Sequence, residues 1–86
     1  MALLVLGAKV GDVVDVADGW IRVLSVDSNY RATLACSDSR KLIVRSRRLT
    51  SLMADVWVGL GPDPAYSKLR LMFQAPRHVP IVRRRA

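Results

Sequence analysis

Apolar and polar residues alternate in short runs along most of the chain, and turn residues separate the runs. The clearest case lies at 68–74, where Leu69, Leu71 and Phe73 alternate with Arg70 and Met72. A period of two places successive side chains on opposite faces of a β-strand. Read in this way, the chain has predicted strands at 3–6, 13–16, 20–26, 30–36, 41–45, 56–60, 68–74 and 79–83.

Residues 47–54 are the one stretch with helical composition, because Leu49, Leu52 and Met53 recur at spacings of three and four. One or two helical turns are predicted there. A loop is predicted at 61–64, since two prolines and a glycine cannot sustain a strand ladder. The predicted fold class is therefore all-β, mostly antiparallel strands and hairpins, with at most one short helix.

The length of 86 residues fits a single compact β domain spanning 1–86. Within it, residues 30–45 follow the same plan as residues 68–83: a strand, a turn and a strand that ends in Ile-Val-Arg. This internal echo favours two fused sub-units, 3–45 and a partial 46–86. The alternative is one unit with an insertion that carries its own hairpin.

Positive charge is concentrated in the second half of the chain. The net charge is +7, and residues 40–86 carry eleven basic residues against two aspartates, whereas residues 1–39 carry three against five. A basic surface favours a polyanionic partner such as a nucleic acid. The alternative is that arginine and lysine only solvate exposed strand faces.

Catalytic chemistry has little support in the sequence. The chain has no glutamate, one histidine and one cysteine, so no catalytic residues, metal site or cofactor are predicted. Cys36 is interpreted as a small buried hydrophobe, and His78 as either a solvated turn residue or an RNA contact. Core packing is favoured for Trp20 and Trp57, with base stacking as the alternative. Without a long apolar stretch or a basic leader, the expected compartment is the cytoplasm.

Several segments in order resemble the carbon storage regulator (Csr/Rsm) family of RNA-binding translational regulators. They are residues 3–6, the Lys-Val-Gly-Asp of 9–12, residues 21–27 and residues 69–83. The last segment is the most specific, because it is similar to the family's fourth strand, its Asn-Ala-Pro turn and its fifth strand ending in Val-His-Arg. The matching segments cover about half of the chain.

The resemblance implies an RNA-binding post-transcriptional regulator. Family members form intertwined homodimers in which each sheet mixes strands from both chains. They bind GGA motifs in messenger leaders and block ribosome access. The implied partner is thus a messenger leader or a small regulatory RNA with GGA motifs, and the implied assembly is a homodimer or a single-chain pseudo-dimer.

Family RNA contacts come from the first strand, the last strand and the turn before the last strand. By position, they fall on Leu4, Leu6, Ala75, Pro76, Arg77, Val82 and Arg83. Arg83 takes the place of the family's key arginine, with Arg84 beside it as a further phosphate contact. The internal echo adds Arg45 as the counterpart of Arg83 in the first sub-unit.

Three departures from the family pattern bear on recognition. Gly7 and Ala8 stand where members have a serine or threonine followed by an arginine, Arg84 and Arg85 replace glutamates, and residues 29–67 replace a short turn. Two alternative functions follow. One is a regulator-like protein-interaction module that has lost specific RNA binding and pairs with a family member or another protein. The other is a nonspecific nucleic-acid binder.

Overall fold

The computed structural model describes residues 2–28, 31–61 and 69–84, which form nine β-strands and no helix. Their bounds are β1 (Ala2–Ala8), β2 (Val13–Val16), β3 (Gly19–Ser28), β4 (Arg31–Cys36), β5 (Lys41–Arg45), β6 (Thr50–Met53), β7 (Val56–Leu60), β8 (Leu69–Ala75) and β9 (Ile81–Arg84). One sheet has four strands in the order β1-β8-β7-β6, and the other has five in the order β5-β4-β3-β2-β9. All ladders between these strands are antiparallel. The predicted all-β fold class is confirmed.

The helix predicted at 47–54 is wrong, because this segment leads into β6, which forms a hairpin with β7. Ala54 and Asp55 make the connecting turn, with Asp55 in the left-handed region at φ 63°. A bulge between Ser51 and Met53 shifts the register of the hairpin. Because a bulge opposes two residues to one, Leu52 and Met53 can both pack on the core although they are adjacent. The loop predicted at 61–64 lies mostly outside the described residues.

The two sheets repeat one arrangement of strands. Strands β2, β3 and β4 form a meander in the five-stranded sheet, and β6, β7 and β8 form a meander in the four-stranded sheet. Strand β1 pairs with β8, the last strand of the later meander, and β5 pairs in the same way with β4. Each half of the chain thus gives its first strand to the sheet of the other half. Strand β9 then adds to β2.

The repeat of strand order divides between β4 and β5, whereas the sequence echo divides the chain after residue 45. In the strand order, Lys41–Arg45 corresponds to β1 and not to β9, although β5 and β9 share the residues Ile-Val-Arg. Strand order does not define which segments fold independently, so the sub-units 3–45 and 46–86 stay a prediction.

A single apolar core lies between the sheets. Phe73, Ile21, Leu34, Leu52 and Leu71 are its largest fully buried side chains, and they come from both sheets. No polar or charged side chain is buried among the described residues. The charged groups therefore lie on the outer faces and edges of the sheets, where a ligand can reach them. Within the described residues there is no helix long and apolar enough to cross a membrane.

Candidate nucleic-acid interface

Two edge strands from different sheets meet at one place on the surface. Strand β1 is an edge of the four-stranded sheet and β9 an edge of the five-stranded sheet. The Arg83 guanidinium donates a hydrogen bond from Nη1 to the Gly7 carbonyl, which joins the two edges. We call this place, formed by residues 3–7 of β1 and 82–84 of β9, the β1/β9 junction. Edge strands leave alternate main-chain N–H and C=O groups without a ladder partner, so a junction of two edges offers groups for a ligand to contact.

Alternation along β1 decides which of its side chains face the solvent. Leu3 and Val5 are 65% and 47% exposed and share the outer face with Gly7. Leu4 is 38% exposed although it pairs with buried Phe73 on the inner face, and Leu6 packs against the core. Leu4 and Leu6, the contacts predicted from the sequence, thus lie on the inner face of β1, and the outer face carries Leu3 and Val5. The buried, alternating pattern of β8 is the signal that could have identified it, because β8 fixes the register of β1.

The predicted RNA contacts in the turn before β9 differ in their exposure to solvent. Ala75 is buried, so only its main chain is accessible, while Pro76 is half-buried. Arg77 and His78 are exposed, and the Val79 amide closes the turn by donating to the Pro76 carbonyl. This turn lies at the end of β1 opposite Gly7, because Ala75 pairs with Ala2. A single extended ligand along β1 would therefore pass both the turn and Arg83.

Arg83 is exposed and makes no ion pair with a carboxylate of the described residues. A guanidinium has five N–H donors, and the Gly7 carbonyl accepts a hydrogen bond from only one of its three nitrogens, Nη1. Ala8 is buried, and Gly7 contributes the carbonyl that orients Arg83. The junction thus holds an oriented arginine whose remaining donors can serve a ligand.

Arg84 points to the opposite side of β9 from Arg83 and forms an ion pair with Asp15. Its Nε and Nη2 atoms donate to the two carboxylate oxygens at 2.9 and 2.7 Å. Both side chains are about half-exposed, so the pair contributes at most about 1 kcal/mol to stability. Val82, on the same face as Arg84, is 58% exposed. The carboxylate therefore orients Arg84 but competes only weakly with a phosphate.

The structure does not bring Arg45 to the junction. Arg45 lies on β5, at the edge of the five-stranded sheet opposite β9. Four strand spacings separate the two edges, which corresponds to about 19 Å. Any contact of Arg45 with RNA would belong to the outer face of the sheet.

The two tryptophans lie on outer faces. The core packing predicted for Trp57 is wrong, because this residue is 40% exposed on the four-stranded sheet. Trp20 is half-buried on the five-stranded sheet, and the Arg22 guanidinium lies over its ring at 5.5 Å from the centroid. This distance is within the range of a cation–π interaction.

Nothing in the described residues assembles a metal or nucleophilic centre. No group of three histidine, cysteine or acidic side chains there could hold a metal ion. Cys36 is buried as predicted, and burial raises the pKa of its thiol, with Arg40 opposing and Asp38 reinforcing the shift. The thiolate needed for nucleophilic chemistry is therefore disfavoured. Comparison with protein-family models, curated proteins and solved structures finds no match for the chain.

Proposed function

We propose that this protein is a post-transcriptional regulator that binds GGA-containing, unpaired RNA at the β1/β9 junction. In this proposal it is a divergent relative of the carbon storage regulator family, acts in the cytoplasm and blocks ribosome access to messenger leaders. It needs no cofactor and has no enzymatic activity.

The observation that carries the proposal is the position of Arg83. Its guanidinium is held at the junction by the Gly7 carbonyl and has no carboxylate partner among the described residues. The planar fork of donors suits the guanine edge and the phosphate group, and its charge releases counterions from RNA. Unpaired bases can also contact the main chain of the edge strands, which duplex RNA cannot do.

The arrangement of strands supports the family relationship. In the carbon storage regulator family, each sheet mixes strands from two chains. In this protein, each half of the chain gives its first strand to the sheet of the other half. The junction then joins the first strand of the chain to its last strand, the two strands that the resemblance assigns to RNA contact. We infer a single-chain pseudo-dimer, in which one chain supplies what two chains supply in the family.

A second candidate function rests on the outer face of the four-stranded sheet. Leu3, Val5 and Trp57 are exposed there, with Met72 beside Val5 and Gln74 between Leu3 and Trp57. Exposed apolar patches often mark protein-interaction sites. This observation favours the protein-interaction module over a nonspecific nucleic-acid binder as the alternative.

The test is the affinity of Arg83→Ala for an RNA hairpin with GGA in its loop. We expect binding to weaken by about 1–3 kcal/mol, the range for an arginine that reads a base. Fluorescence anisotropy against the GGA loop and a scrambled loop would measure both affinity and selectivity. Arg48→Ala is the matched control, because it removes the same charge from an exposed position between β5 and β6. Equal binding by the Arg83 and Arg48 variants would reject the proposal, and equal binding of the two loops by the unmodified protein would favour a nonspecific binder.

A further inference from the structure

A row of basic residues crosses the outer face of the five-stranded sheet. Arg84 pairs in register with Val13, Val13 with Arg22, Arg22 with Ala35, and Ala35 with Lys41. Cross-strand partners share a face, so these five side chains lie in one line perpendicular to the strands. We call this line the basic row.

The row has a length and composition that suit a polyanion. It runs from one edge strand to the other, about 19 Å over four strand spacings, with a basic side chain on every second strand. Arg84, Arg22 and Lys41 are exposed, and the intervening Val13 and Ala35 are uncharged. Positive charge therefore recurs about every 10 Å along the line.

Neighbouring carboxylates leave most of the positive charge of the basic row free to contact a polyanion. Neither Arg22 nor Lys41 forms an ion pair with a carboxylate in the described ranges. Arg22 instead lies over the half-buried ring of Trp20, which limits its freedom while keeping its charge. Arg84 has the exposed pair with Asp15. Two of the three cations are thus not neutralised, and the third can exchange its partner.

The row is continuous with the β1/β9 junction. Arg83 and Arg84 are consecutive on β9, so one side chain points to the junction and the next to the outer face. A strand of RNA that passes Arg83 and turns over the β9 edge would meet Arg84 first, then Arg22, then Lys41.

We propose that the basic row is a second RNA-contact surface, which takes the phosphate backbone of single-stranded RNA flanking the segment at the junction. This inference rests on the proposed function. The row reads charge and not sequence, because phosphate contacts position a nucleic acid without carrying sequence information. RNA with an unpaired flank should therefore bind more tightly than an isolated hairpin loop.

The experiment compares two RNAs: a hairpin with GGA in its loop, and the same hairpin with an unpaired flank of about eight nucleotides. The variants are Arg22→Ala/Lys41→Ala and the control Arg47→Ala/Arg48→Ala, which removes two exposed charges outside the row. We expect the unmodified protein and the control to bind the flanked RNA more tightly than the bare hairpin. The row variant should lose this difference and keep its affinity for the bare hairpin.

Salt dependence gives a second readout. Each single-strand phosphate contact contributes about 0.7 to the slope of log affinity against log salt. Loss of two contacts should reduce the slope on flanked RNA by about 1.4, so the affinity lost between 50 and 200 mM salt would be about sevenfold smaller than for the unmodified protein. Lys41→Glu is a single substitution at an exposed edge position and should weaken flanked-RNA binding more than Lys41→Ala.

The outcomes separate the two proposals. Row and control variants with the same slope and the same preference for flanked RNA would overturn the basic row. Equal binding of GGA and scrambled loops by the unmodified protein would overturn the proposed function, whatever the row variants do. If the row variant then still lowered the slope more than its control, the row would stand as a contact for RNA of any sequence.

Discussion

Two consecutive arginines on β9 differ in their partners, and this difference separates their expected roles. Arg83 is oriented by a neutral carbonyl, whereas Arg84 is oriented by the Asp15 carboxylate. The sequence shows two similar basic residues at these positions. It cannot show the difference, because Asp15 and Gly7 are distant in sequence and reach β9 only through the sheet order.

Removal of the Asp15 charge should strengthen RNA binding. In Asp15→Asn, Arg84 loses its anionic partner, so a phosphate no longer displaces a carboxylate. We expect affinity for both GGA and scrambled RNA to rise about two- to fivefold, the equivalent of a weak exposed ion pair. Anisotropy titrations at low and physiological salt would measure the change.

Asp55→Asn is the control for this charge change. Asp55 is exposed in the β6–β7 turn at φ 63°, a conformation that asparagine tolerates well. If both variants gained affinity equally, the gain would come from net charge alone and Arg84 would have no specific part in it.

At the scale of elements, the alternation of apolar and polar residues predicts most strands well. It fails at β6, where a bulge places the adjacent apolar residues Leu52 and Met53 on the core. The predicted strands at 13–16, 41–45 and 56–60 coincide with β2, β5 and β7. In the segment 47–54, the spacing of Leu49, Leu52 and Met53 predicts helical turns, whereas the structure has β6 there. A sequence signal for the hairpin exists: Ala17-Asp18 precedes Trp20 by the same spacing at which Ala54-Asp55 precedes Trp57. The first pair makes the β2–β3 turn, so the second predicts a turn as well.

The β6–β7 hairpin depends on a close approach of the chain at Gly59. A Cβ there would lie 2.6 Å from the Arg48 carbonyl oxygen and 3.3 Å from Leu49 Cδ2. Gly59→Ala therefore forces backbone to move and should destabilise the fold by about 1–3 kcal/mol. Urea denaturation followed by tryptophan fluorescence would measure the free energy of unfolding.

Gly7→Ala provides the comparison, because a Cβ at Gly7 meets only Arg83 Nη1, at an ordinary 3.8 Å. This variant should change the free energy of unfolding by less than about 1 kcal/mol. Equal free energies of unfolding for the two variants would contradict the prediction, because the backbone at Arg48 would then move at little cost to make room for the added methyl group.

At the scale of the whole molecule, the junction depends on pairings that no local pattern contains. The pattern of the sequence predicts β-strands with basic residues, and the family resemblance implies that Arg83 is the principal RNA contact. It also equates Arg45 with Arg83, because β5 and β9 end alike. The sheet order instead gives β5 the place of β1, so the candidate site at the β1/β9 junction follows only from the assignment of strands to sheets.

The same sheet order predicts one RNA site for each chain. Strand β9 adds to β2, but no strand of the described residues adds to β6 at the equivalent edge, where the Leu52 carbonyl accepts a hydrogen bond from Arg40. We expect a solution mass near 9.5 kDa and one GGA hairpin bound per chain. Light scattering and calorimetric titration would measure these two quantities. A mass twice as large would contradict the self-contained single chain, and two GGA hairpins bound by one chain would contradict the single site.

The hydrogen bond from Arg83 to Gly7 joins residues 76 positions apart in the chain. Contacts between such distant segments form only after most of the intervening polypeptide has folded, because closing a long loop costs conformational entropy before the contact can stabilise the fold. In the proposed function, a nascent chain that lacks β9 would therefore have no β1/β9 junction with which to bind a GGA loop. If the proposal holds, sequence-selective binding would begin only after β9 has been synthesised and has paired with β2.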